Sequence, residues 1–242
     1  MRVFLFWGLM FVAAGSWAQA TPAPPPTPEE RLFEAIDAGK ELVAEGVMQY
    51  GKVNLDARNA NGETPLHRAV EKGMKELARA LIAAGSSLRA RSKSGETVLH
   101  IAALHGDPAM TSLLVEKGAD PKARNDDGES ALHWAALSGN VLVGKVLLEH
   151  GADPNLADLR GNRPLHAAAD SGNIEMVRLI LGRNVDPKAK NRDGLSPEDV
   201  ANERARPDVA ALLAKTAPRS VQPSGTSNFG TIDIDDQPKQ RF

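Results

Sequence analysis

The strongest constraint on this chain is that it repeats itself every 33 residues. Gly62, Gly95, Gly128, Gly161 and Gly194 fall at that interval, and so do His67, His100, His133 and His166. A third series, Gly73, Gly106, Gly139 and Gly172, keeps the same spacing. Three independent series at one period mean a stack of like units, each buried by its neighbours, rather than a globule with one centre.

The stretch from Asn125 to Ala157 shows what a unit contains. Asp127-Gly128 is a turn, because glycine accepts the positive φ of a tight reversal. Ser130 opens a short helix of small residues from Ala131 to Ala136, which Gly139 ends. A second helix is expected over 141–150, with Val143, Val146, Leu147 and Leu148 as its apolar face. Gly151 stops it, and Ala152-Asp153-Pro154 leads into the next turn. Neither helix exceeds about ten residues, so neither persists alone in water. Hydrophobic residues make up 42% of the chain but aromatics only 4%, and a core of Ala, Leu and Val suits small, closely packed helices.

These units resemble the ankyrin repeat and its pattern Gly-x-Thr-Pro-Leu-His-x-Ala-Ala. The matching stretches run from Gly62 to His67, Gly95 to His100, Gly128 to His133 and Gly161 to His166, with Gly-Ala-Asp endings at Gly118 and Gly151. The resemblance covers roughly residues 29–215. It implies an all-α solenoid of helix-turn-helix units with β-hairpin-like tips, four full repeats between degenerate N- and C-terminal capping repeats. The stretch 29–57 lacks the Thr-Pro-Leu-His turn but keeps Gly39 and Gly51 at the right separation. The last unit has Leu195-Ser196-Pro197-Glu198-Asp199 in place of the histidine turn, and Asn184 replaces the second-helix glycine before it. Polar end units are what a solenoid needs where it meets solvent.

Three segments flank that domain. Residues 1–20 read as a signal peptide: Arg2 is the positive start, 3–14 are apolar, and Ala18-Gln19-Ala20 is the small-x-small pattern before a cleavage expected after Ala20. The apolar stretch is shorter than the roughly 20 residues that cross a bilayer; a retained N-terminal anchor is the competing reading. No stable membrane insertion is expected after cleavage. Residues 21–28 read as a proline-rich linker. Residues 216–242, rich in Gly, Ser, Pro and Gln, read as a disordered tail. Within the tail, Ile232 to Asp236 alternates apolar and acidic residues, a pattern able to add as a strand to a partner. Export is expected to end in the periplasm, a compartment implied by the family pattern, with secretion as the alternative.

Several chemistries drop out. The absence of cysteine removes disulfides, thiolate metal sites and thiol nucleophiles. A formal charge of −2 offers no basic field for nucleic acid. The phosphate-binding, dinucleotide, Gly-x-Ser-x-Gly and His-Glu-x-x-His motifs are all missing. Asn125 to Gly128 has the look of a calcium loop, but Ala123 and Trp134 stand where ligands belong. The repeating histidines lie about 10 Å apart from unit to unit, whereas zinc ligands sit about 2 Å from the metal, so they cannot share an ion. The ankyrin resemblance makes them structural, tying one hairpin to the next. No cofactor, metal or catalytic group is expected.

Function must then lie on the surface. The resemblance implies a concave groove lined by hairpin tips and first helices, where partners bind through side chains the repeat pattern leaves open. At the tips these include Lys93, Glu96, Asp126, Asp127, Glu129 and Arg160, and on the first helices Leu104, His105 and Leu137. The two leucines are expected side by side in mid-groove, flanked by His105 and an acidic tip, as an apolar centre with a charged rim. Trp134 is expected to pack between repeats. The reading is a monomeric, non-catalytic periplasmic module that protects or scaffolds a protein partner, as an accessory to an exported enzyme or to stress defence. The alternatives are an immunity protein against a periplasm-acting toxin and, from another class, a small-ligand binder or enzyme using the groove.

Overall fold

The computed structural model describes residues 25–216. The expected signal peptide, the first half of the proline-rich linker and all but the first residue of the expected tail lie outside the described residues. Six helical hairpins follow one another: α1 (Pro28–Asp37) with α2 (Glu41–Tyr50), α3 (Pro65–Glu71) with α4 (Lys75–Ala83), and α5 (Val98–His105) with α6 (Pro108–Glu116). Then come α7 (Ala131–Leu137) with α8 (Val141–Glu149), α9 (Pro164–Ser171) with α10 (Ile174–Leu181), and α11 (Pro197–Glu203) with α12 (Pro207–Ala214). First helices pack on first helices along the stack, and second helices form a second layer behind them. None of the described helices is long and apolar enough to cross a membrane.

The core repeats with the sequence. Leu66, Leu99, Leu132 and Leu165 are buried on the first helices, and Leu81, Leu114, Leu147 and Ile180 on the second. Each first helix starts where a residue in extended conformation precedes it. Thr64 and Ser196 are followed by proline at the first helical position, where a missing N–H costs nothing.

Backbone bonds run from tip to tip. The amide of Lys93 donates to Asn61 O (2.8 Å), Asp126 to Ser94 O (3.0 Å), Leu159 to Asp127 O (2.8 Å) and Arg192 to Arg160 O (2.9 Å). This close approach accounts for the glycine series: at Gly62 and Gly161, both with positive φ, a Cβ would stand 2.9 Å from the next tip's amide nitrogen. The described tips hold one isolated antiparallel bridge, Arg124 with Ser130. Guanidiniums reinforce them, Arg58 donating to Gly62 O (2.6 Å) and across to Arg91 O, and Arg124 to Ala157 O (2.7 Å). At the opposite end of the first helices, Asn140 donates to the Ala103 and Leu104 carbonyls and Asn173 to Gly139 O. Helix-end carbonyls that would otherwise lack partners are thus satisfied by the following repeat.

The end units depart from the pattern. Thr27 and Pro28, placed in the linker by their prolines, are the cap and first residue of α1, where Thr27 and Glu30 form a reciprocal capping box. Helix α1 therefore has ten residues against seven in α3. Gly51 is not left-handed, unlike Gly85, Gly118 and Gly151. In the last unit Ala205 occupies the place of Gly73, Gly106, Gly139 and Gly172 and is forced to φ 53°.

A left-handed alanine costs about 1–2 kcal/mol, and glycine there loses about 0.4–1 kcal/mol through its freer unfolded chain. Ala205→Gly is therefore expected to stabilise the domain by about 0.5 kcal/mol, which thermal unfolding would register as a rise of about 1–2 °C. An unchanged or lower midpoint would show that the turn carries no such strain.

Candidate functional site

Tips and first helices of the C-terminal half enclose a groove of about 510 Å³. Leu137, at the end of α7, and Leu159, on the next tip, are each 52% exposed beside it. Asp127, Glu129 and Arg160 also line it, so the structure brings four of the sequence-selected residues together: Leu137 and these three. Glu129 is fixed by Asn125 Nδ2 (3.0 Å) and by the Trp134 indole N–H (2.8 Å). Trp134 is half-buried between repeats, its ring edge-on to His100 at 5.5 Å between centroids.

The other selected residues fall elsewhere. Leu104 is 46% exposed and holds on α5 the place Leu137 holds on α7, one repeat before the groove. Lys93 is exposed and Glu96 half-buried on the preceding tip. Asp126 is exposed on its tip and paired with Arg91 at 3.2 Å, and it does not line the groove. His105 does not flank the leucines. It lines a separate cleft of about 500 Å³ at the opposite end of the first helices, with Lys72, Lys75 and Asp107. One residue beyond Leu104 on a helix is a rotation of about 100°, which turns the imidazole away from the groove. In that cleft Lys75 lies 2.9 Å from Asp107. Burial works against the Asp107 charge, but Lys75 and the amides of Met110 and Ala109 outweigh it and hold the carboxyl below its usual range.

Sequence reading missed several groove residues, Leu159, Arg204, Asp158, Asp193 and Glu203 among them. Leu159 stands where the other tips carry Lys93, Asp126 and Arg192, so the period marks the place as polar. Arg204, which pairs with Asp170 at 2.8 Å, belongs to a unit read only as a cap.

The four repeating histidines are buried. Nδ1 accepts the backbone N–H of the residue that opens the helix, from Thr64, Thr97, Ser130 and Arg163 in turn, at 3.1–3.2 Å. The ring proton therefore sits on Nε2, which donates to the next unit: His67 to Glu96 O (3.3 Å), His100 to Glu129 O (3.1 Å), His133 to Asn162 O (3.1 Å) and His166 to Leu195 O (3.2 Å). Both nitrogens of every ring are engaged, which leaves no lone pair for a metal.

A family model described as ankyrin repeats (3 copies) matches this chain four times, over residues 32–125, 73–158, 101–191 and 147–219. The chain belongs to the ankyrin-repeat family. Comparison with curated proteins finds no match. Ankyrin repeats are generally protein–protein interaction modules, and the groove described above lies where tips and first helices meet. In this ankyrin stack the histidines link repeat to repeat, as the resemblance implied.

Burial lowers all four histidine pKa values, against the pull of the carbonyls they bond, and takes His100 from 6.5 to about 4. Unfolding frees each ring to take a proton near its ordinary value. Between pH 6.5 and about 4 the unfolded chain therefore binds more protons than the folded one, and stability falls as pH falls. His100 alone accounts for a loss on the order of 3 kcal/mol. Thermal unfolding is expected to show a midpoint that drops across this window, with a shallower drop in His100→Gln. A flat profile from pH 7 to 4 would contradict neutral, buried imidazoles.

Proposed function

We propose that this ankyrin-repeat protein works in the periplasm, binding a protein partner in its concave groove and doing no covalent chemistry. It protects or scaffolds that partner, as an accessory to an exported enzyme or to stress defence. The observation that carries the reading is the pairing of Leu137 with Leu159 in one groove, each about half exposed and rimmed by charge. Apolar centres with polar rims are how protein interfaces concentrate their binding energy. Leu104 continues the apolar line one repeat earlier. The compartment rests on the signal-like residues 1–20.

A cross-linked pull-down from the periplasm tests the groove, comparing the tagged protein with a Leu104→Asp, Leu137→Asp double variant. Both leucines are exposed, so the variant is expected to melt within a few degrees of the parent and to lose its partner by at least tenfold. Equal capture by the two baits would sink the groove as the binding site. In the same preparation the intact mass is expected to begin at Thr21; a chain still carrying residues 1–20 would refute cleavage after Ala20.

A further inference from the structure

The charge of the groove says what kind of segment it takes. Asp127, Glu129, Asp158, Asp170, Asp193 and Glu203 line it against only two guanidiniums, Arg160 and Arg204. Six carboxylates against two cations leave an excess of four negative charges, in a chain whose formal net charge is −2. The remainder of the molecule is therefore net positive, so the chain's net negative charge is accounted for by this groove.

Not all six carboxylates are available. Asp170 is matched by Arg204 at 2.8 Å. Glu129 is held by Asn125 and Trp134, and Asp158 accepts the amides of Arg160 (2.8 Å) and Asn162 (2.7 Å) within its own turn. Asp127, Asp193 and Glu203 are exposed, and among the described residues no ion pair engages them. The negative field reaches back along the tips. Burial raises the Glu96 pKa, and repulsion from Glu63, Glu129 and Asp127 adds to the rise. Low-dielectric walls around like charges concentrate such a field in the groove.

We propose that the groove running from α7 to α11 takes a protein segment that carries lysine or arginine beside apolar side chains. Its cations meet Asp127, Asp193 and Glu203, while its apolar groups cover Leu137 and Leu159. Long basic side chains suit the task, since their methylene stems lie on apolar surface and their charged ends reach past it. The same field turns away phosphate-bearing polymers and acidic segments, and it speeds the encounter with a basic one. This inference rests on the groove being the binding site and adds the chemistry of what fills it.

The test uses the purified protein and three fluorescein-labelled twelve-residue peptides: alternating Lys-Leu, alternating Glu-Leu and alternating Lys-Ser. Anisotropy titrations are expected to give the Lys-Leu peptide a Kd at least tenfold lower than either of the others. Raising salt from 0.05 to 0.5 M is expected to weaken that binding at least fivefold. The triple variant Asp127→Lys, Asp193→Lys, Glu203→Lys should lose the preference or reverse it, and Leu159→Ser should weaken Lys-Leu binding alone. If the triple variant does not fold, Glu203→Lys by itself and the salt titration carry the comparison. No binding of any peptide, equal binding of the three, or a preference untouched by these substitutions overturns the inference. The pull-down separates the two failures. A partner lost from the leucine double variant but kept by the charge-reversed one leaves the groove as the site and removes only its basic specificity.

Discussion

A helix of seven to ten residues does not hold its shape in water, because nucleation costs more than so few hydrogen bonds return. Every described helix is in that range, so no unit is stable by itself. Order comes from the faces between units, where Leu66, Leu99, Leu132 and Leu165 recur on one layer and Leu81, Leu114, Leu147 and Ile180 on the other. The molecule is thus governed by nearest neighbours. A lesion in one interface is felt by two units directly and by the rest only through them.

The buried imidazole joins this packing to the surface. His100 closes the turn of its own helix through Nδ1 and grips the carbonyl of Glu129 through Nε2. Glu129 is also a groove residue, its carboxylate fixed by Trp134. The bond that aligns two repeats therefore also sets the backbone of a tip that faces the groove. A neutral ring is required for the first of these bonds, since a protonated Nδ1 could no longer accept an amide proton. Burial, which depresses the pKa, is what keeps the ring neutral.

Much of this was legible in the sequence because the period carries it. The turn glycines, the histidines and the two helices of each unit could be placed from spacing, and Leu104 and Leu137 stood out as apolar residues in places that are otherwise polar. What the period could not show lies where units differ or where direction matters. Leu159 sits at a tip position filled by charged residues in the neighbouring units, so nothing flagged it. His105 follows Leu104 directly, yet the helical turn sends it into another cleft. Thr27-Pro28 looked like spacer because prolines surround it, although Thr-Pro is also how a helix begins. The acidity of the groove comes from three different units and the folded proximity of their side chains, which no local window contains.

The histidine bond also has a direction. Each internal unit donates from its imidazole to the carbonyl of the unit after it, and the last such bond ends at Leu195. There Asp199 takes the histidine's part in the capping box, accepting from Ser196. A carboxylate closes its own turn but has no proton to hand forward. Duplication of an internal unit would thus bring its own forward link and find a matching acceptor on arrival, lengthening the groove by one step without any new contact being invented. Copying the last unit would not, because the copy behind it would receive no bond. The two kinds of unit differ in what they permit over evolutionary time: the interior of this protein is open to growth, and its C-terminal end is a stop.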